Sequence, residues 1–170
     1  MSSSTGLRTN SVLLFSGGLD SFILWHLLGY PTPVYVTLGH KYEQLELATI
    51  ERLGMDVVTL TGPQVGQLEQ ADGHIPQRNL LLAATVAAAL QPDIIYLGAV
   101  RGETSRDKSG RFLGMTSRLL SFCEQPVKVL APARRWTKTQ LVRRYVHRLP
   151  DGMTYLLATR SCYADSDLPC

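Results

Sequence analysis

Between residues 12 and 21 the chain reads Val-Leu-Leu-Phe-Ser-Gly-Gly-Leu-Asp-Ser: an apolar run, two glycines boxed by serines and an aspartate, then the start of an amphipathic stretch. Strand, glycine turn and helix start, in that order, suit the holding of phosphate. Gly17 and Gly18 can take positive φ at no steric cost, so consecutive N–H groups can turn inward as an anion nest. The helix that follows aims its unpaired N–H groups and the positive end of its dipole at the same place. Ser16 and Ser21 add hydroxyls on either side of Leu19. Asp20 suits an anion site once Mg2+ is supposed between its carboxylate and the phosphate oxygens. No Gly-Lys-[Ser/Thr] follows, so this is not a Walker loop. The bland alternative is a strand-to-helix turn capped by Asp20 or Ser21.

Such a turn needs a strand before it and a helix after it, and the chain supplies that pair repeatedly. Short aliphatic runs at 12–15, 34–38, 57–60, 94–97 and 127–130 have the form of strands buried on both faces. Helical patterns at 21–28, 42–53, 78–90, 112–123 and 137–149 separate or follow them. The alternation predicts an α/β fold, a doubly wound, mainly parallel five-stranded sheet with helices on both faces and right-handed crossovers. Pro31, Pro33, Pro63, Pro76, Pro92, Pro126 and Pro132 fall between elements. The alanine-rich residues 80–90 read as a buried helix. The helix at 137–149 shows an apolar stripe at 141, 142, 145, 146 and 149. Ligands of such sheets sit beyond the carboxyl ends of the strands, so the loops after Phe15, Leu38, Leu60, Leu97 and Leu130 should ring one crevice.

At 170 residues, 45% hydrophobic and 18% charged, the chain can bury one core, and a single domain is expected over 11–170 after a flexible, serine-rich start at 1–10. That start lacks the apolar segment a secretory signal or membrane span needs. Three cysteines, Cys123, Cys162 and Cys170, argue for reduced thiols in a cytoplasm rather than a disulfide framework. The net charge of +3 conceals an asymmetry: residues 101–160 hold 13 Lys/Arg against 4 Asp/Glu, and residues 1–100 hold 4 against 8. A basic second half could face polyphosphate, nucleic acid or solvent. No aromatic interleaving or nucleic-acid motif accompanies it, which favours a solvated face.

Ser-Gly-Gly-Leu-Asp-Ser resembles the signature of the PP-loop ATP pyrophosphatases, which split ATP between the α- and β-phosphates and activate a carboxylate or carbonyl as its adenylate. Further segments stand in the order seen in 7-cyano-7-deazaguanine synthases: Thr37-Leu38-Gly39-His40 with Glu43 and Glu46, Ile75-Pro76-Gln77-Arg78-Asn79, Leu97-Gly98-Ala99-Val100, Thr137-Lys138 and Ser161-Cys162-Tyr163. The likeness spans about residues 12–170. It implies a Rossmann-like fold of the adenine nucleotide alpha hydrolase type. It also implies ATP and Mg2+ as reactants, and conversion of 7-carboxy-7-deazaguanine with ammonia to the nitrile 7-cyano-7-deazaguanine (preQ0), in queuosine biosynthesis.

Residue by residue, the resemblance implies that Ser16, Gly17, Gly18, Leu19, Asp20 and Ser21 hold the pyrophosphate end of ATP. The strand end at Leu38 and Gly39 receives adenine and ribose. His40 either meets substrate or faces water and a neighbouring helix. Arg78 offers a fork of donors suited to phosphate or carboxylate, and Asn79 is a natural helix cap. A carboxylate can accept from both N1–H and the exocyclic amine of a guanine-like edge, and Glu103 and Asp107 are the candidates. The family carries an aspartate-rich Ser-Gly-x-x-Asp stretch there, from which this chain departs. Lys138 could reach released pyrophosphate or lie in solvent.

Cys162 and Cys170 match the spacing of the first two zinc-ligating cysteines of the synthases. Two thiols do not close a structural Zn2+ site. Absence of the metal, sharing across a homodimer contact, and a relative shortened at the zinc motif all remain open. Two other readings stand beside the synthase: adenylation of another carboxylate or of a base in tRNA, and a nucleotide-binding relative that has lost turnover.

Overall fold

Val12 and Leu13, neighbours in the first strand, are buried on opposite sides of one sheet, and the whole fold is built outward from that strand. The computed structural model describes residues 10–71, 73–102 and 105–160. Its elements run β1 (Ser11–Leu14), α1 (Leu19–Leu27), β2 (Thr32–Thr37), α2 (Glu43–Arg52), β3 (Val58–Thr61), α3 (Arg78–Leu90), β4 (Ile94–Tyr96), α4 (Gly110–Cys123), β5 (Lys128–Leu130), α5 (Lys138–Arg148) and α6 (Met153–Leu156). Single 3₁₀ turns lie at Gly66–Leu68, Arg106–Lys108 and Pro150–Gly152.

The five strands pair in the order β3-β2-β1-β4-β5, all parallel. Val12 stands opposite Thr32 on one side and Ile95 on the other. One sheet face packs Val12, Val34, Val36, Ile95 and Val129 against Ala83 and Val86 of α3 and Leu113 of α4. The other packs Leu13 and Tyr35 against Phe22, Ile23 and Leu24 of α1, Ile50 of α2, and Leu141 and Tyr145 of α5. The aliphatic runs are strands and the expected doubly wound α/β architecture is present, but burial on both faces holds only for the inner strands: at the sheet edges β3 and β5 leave Val58 and Leu130 exposed.

One further expectation needs adjusting. The helix over 80–90 buries one face only: Asn79, Ala83 and Val86 are enclosed, while Ala88 and Ala89 are exposed. Alanine is small enough to sit on either side, so its density marks helix propensity rather than depth. In α5 the expected stripe holds, with Leu141 and Tyr145 fully buried and Val142, Val146 and Leu149 packed beside them. No helix among the described residues is long and apolar enough to cross a membrane.

Candidate functional site

Strand order reverses between β1 and β4, because chain growth proceeds through β2 and β3 on one side and through β4 and β5 on the other. Side chains cannot fill the gap beyond the strand ends at such a point. A cavity of about 330 Å³ lies there, walled by the ends of β1, β2 and β4 and by the first turns of α1 and α3. Of the residues singled out from the sequence, Ser16, Gly18, Leu19, Asp20, Ser21, Leu38, Arg78, Asn79 and Lys138 line it, and Gly17, Gly39 and Asp107 do not.

Gly17 has φ +71°. A Cβ there would also stand 3.0 Å from Thr49 Cγ2, so both conformation and space demand glycine. Gly18 departs from expectation. It is extended, at φ −73° and ψ 156°, and serves as the N-cap of α1. No side chain caps that helix, neither Asp20 nor Ser21, which leaves its first N–H groups to the cavity. Ser21 is buried, and its hydroxyl donates to the Gly18 carbonyl at 2.9 Å, so its proton steadies the turn. Ser16 is exposed at the cavity rim.

Asp20 and Lys138 come together although 118 positions separate them: Lys138 Nζ is 3.9 Å from Asp20 Oδ2. α5 is started for this by a reciprocal capping box, in which Thr137 Oγ1 accepts from Gln140 N at 3.2 Å and Gln140 Oε1 accepts from Thr137 N at 2.9 Å. One carboxylate at the edge of this cavity fits the way magnesium is held, by one or two protein carboxylates plus substrate oxygens. Among the described residues no group of three or more His, Cys, Asp or Glu could cage a metal. Cys162 and Cys170 lie outside the described residues, and Cys123 is an exposed free thiol at the end of α4.

The strand end after β2 is arranged differently from what the resemblance implied. Glu43 Oε2 accepts from Leu38 N at 2.9 Å and from Gly39 N at 2.8 Å, and the Leu38 carbonyl accepts from Gly66 N at 2.9 Å. These backbone groups are committed within the protein. Behind them the Tyr35 hydroxyl donates to Glu46 Oε2 at 2.9 Å, and His40 Nε2 lies 3.4 Å from the same oxygen. The hydrogen bond to Glu46 leads in raising the His40 pKa above its ordinary value. Burial opposes it, and the charges of Glu46, Glu43 and Glu69 add to it.

Arg78 opens α3 and lines the cavity, and its guanidinium makes no hydrogen bond or ion pair among the described residues. Asn79 is not the cap of that helix. Gln77, in the left-handed region at φ 59°, holds the N-cap position. Asn79 Nδ2 instead donates to Asp107 Oδ2 at 2.8 Å, and Ser105 Oγ donates to the other Asp107 oxygen. Asp107 is thus spent on fixing its own loop, while its neighbour Lys108 lines the cavity. Glu103 lies outside the described residues.

Sequence reasoning missed Arg160. It lines the cavity, and its N–H donates to the Gly17 carbonyl at 3.3 Å, with Arg52 holding the same segment through the Ala158 carbonyl at 3.0 and 3.3 Å. Contacts across more than 100 positions leave no periodic trace, so no local signal could have found it.

Comparison with known proteins gives the fold and the family. A solved structure described as a predicted subunit of tRNA methyltransferase from Methanocaldococcus jannaschii superposes with a TM-score of 0.54 at 18% identity, over 81% of this chain and 75% of that one, a likeness of fold. The 7-cyano-7-deazaguanine synthase of Hahella chejuensis (strain KCTC 2396) is 27% identical over 204 aligned residues, covering 99% of this chain and 86% of the relative. The family model of queuosine biosynthesis protein QueC matches residues 30–170, and the chain therefore belongs to the QueC family.

Proposed function

We propose that this protein uses ATP to activate 7-carboxy-7-deazaguanine and converts it with ammonia to 7-cyano-7-deazaguanine. The observation that carries the reading is one cavity at the strand-order switch that gathers a helix N-terminus without a side-chain cap among the described residues, an Asp20–Lys138 pair, and Arg78, whose guanidinium has no partner among the described residues, in a chain of the QueC family. In this reading the pyrophosphate end of ATP lies against the 16–21 turn and the first N–H groups of α1. Asp20 would hold Mg2+, which would neutralise phosphate charge when bound. Lys138 balances charge on the departing pyrophosphate. Arg78 receives the substrate carboxylate, because its planar fork matches two carboxylate oxygens.

Attack of that carboxylate on the α-phosphorus gives an acyl adenylate and pyrophosphate. Ammonia then displaces AMP to leave the amide, and a second activation dehydrates the amide to the nitrile. Positioning and charge stabilisation suffice for these steps. Incubation with ATP, Mg2+, ammonium and 7-carboxy-7-deazaguanine, followed by mass spectrometry, should show AMP, pyrophosphate and nitrile. AMP formed only when RNA is added would replace this reading with a tRNA-directed one, and no turnover with either acceptor would leave a binding protein.

A further inference from the structure

The cavity contains an acid–base cluster that phosphate handling leaves unused. Tyr35, His40 and Glu46 all line it, on the β2–α2 wall. Glu46 Oε2 accepts from the Tyr35 hydroxyl at 2.9 Å and stands 3.4 Å from His40 Nε2. The His40 and Glu46 side chains are 11% and 15% exposed, so the pair is largely shielded from bulk water.

The chemistry proposed above releases protons at nitrogen. When ammonia attacks the acyl adenylate, a C–N bond forms, the C–O bond to AMP breaks, and the nitrogen must give up one proton to become the amide. In the second round the amide oxygen displaces pyrophosphate from ATP, the C–O bond then breaks to release AMP, and the nitrogen gives up its two remaining protons. An acceptor must therefore stand in the cavity. Arg78, Lys108, Lys138 and Arg160 are cationic, and Asp20 faces Lys138 at the phosphate turn. Glu46 and His40 are the remaining acid–base pair on its described walls.

We propose that the Glu46–His40 pair accepts the protons released at the amine nitrogen, with Tyr35 fixing the carboxylate; this rests on the synthase reading. The surroundings of His40 fit the role. Glu43 and Glu46 approach from the start of α2, Glu69 from the segment after β3, Tyr35 from β2, and Lys41 and Tyr42 adjoin it in the chain. The hydrogen bond to Glu46, with the charges of Glu46, Glu43 and Glu69, outweighs burial and makes the imidazole more basic than usual, so it accepts protons once pH passes that raised value.

The test separates the two half-reactions. Carboxylate-dependent exchange of labelled pyrophosphate into ATP reports adenylation alone, and nitrile formation at saturating ammonium reports both halves. Glu46→Gln and His40→Gln should keep the exchange while nitrile formation falls about 10²- to 10⁴-fold, the range of general-base catalysis. Tyr35→Phe, a gentler change, should slow nitrile formation about tenfold, the equivalent of one hydrogen bond to a charged group. In the unaltered protein nitrile formation should rise with pH along a limb that His40→Gln removes. Equal loss of exchange and nitrile, or undiminished nitrile formation, would overturn the proposal. Absence of exchange in the unaltered protein would instead overturn the synthase reading on which it stands.

Discussion

The turns that follow β1 and β2 end neighbouring strands at one cavity, yet they treat their backbone N–H groups in opposite ways. After β1, Gly17 bends the chain at positive φ and α1 begins with no side-chain cap. After β2, Gly39 bends at φ +72°, and the Glu43 carboxylate already takes the N–H groups of Leu38 and Gly39. In the second turn a carboxylate of the protein occupies the backbone donors; in the first, no described side chain caps the helix start, and Asp20 faces Lys138 instead. Glycine alone thus does not make an anion site; what decides is whether the protein has already filled the nest with a carboxylate of its own.

Within this comparison of turns the largest expected effect comes from Asp20→Asn in the first turn. The change keeps side-chain shape and removes the charge facing Lys138. AMP formation should fall about 10²- to 10³-fold, the scale for losing one preorganised electrostatic group, while the thermal unfolding curve moves little. Full turnover would remove the β1 turn from the chemistry and erase the contrast with β2.

How far the sequence shows this contrast depends on the distance between partners. The strands, helices α1–α5 and the β1 turn are written locally, in aliphatic runs and in the Gly17-Gly18 pair, and the structure keeps those elements within one or two residues of expectation, while the one-turn helix α6 had no such signal. Arg78 begins α3 where Pro76 suggested it would. The filling of the β2 turn was not legible, because nothing in Glu43 says whether its carboxylate points at its own backbone or at a ligand. The same ambiguity misplaced Asn79 and Asp107, which satisfy each other across 28 positions. Arg160 meets Gly17 from the far end of the chain, beyond any pattern of spacing.

Gly17→Ala probes the geometry of the first turn rather than its charge. Holding alanine in the left-handed region costs about 1–2 kcal/mol, and the new Cβ would press on Thr49 Cγ2 at 3.0 Å. Urea denaturation should register that loss. Protection against unfolding by added pyrophosphate should vanish with it, since relief of the strain changes the direction of the N–H groups.

Glu43→Gln sharpens the other side. A neutral amide oxygen still accepts from Leu38 and Gly39, but the charge-assisted strength is lost, and stability should fall by about 1–3 kcal/mol. Pyrophosphate protection should persist, because that anion belongs to the β1 turn. If Glu43→Gln abolished protection and left stability untouched, the two turns would have exchanged roles.

The smallest effect is expected where a third helix start near the cavity is capped by its own side chains. Thr137 and Gln140 close the first turn of α5, so no external anion is needed there. Thr137→Ala removes one hydrogen bond of the box and should cost about 1 kcal/mol, read as a lower denaturation midpoint with unchanged slope. Lys138 is the next residue, and its 3.9 Å approach to Asp20 depends on where α5 begins. Fraying of that first turn should therefore weaken pyrophosphate protection slightly, by much less than Asp20→Asn weakens turnover. A large loss of protection with little loss of stability would show that the start of α5 holds phosphate itself, alongside the start of α1.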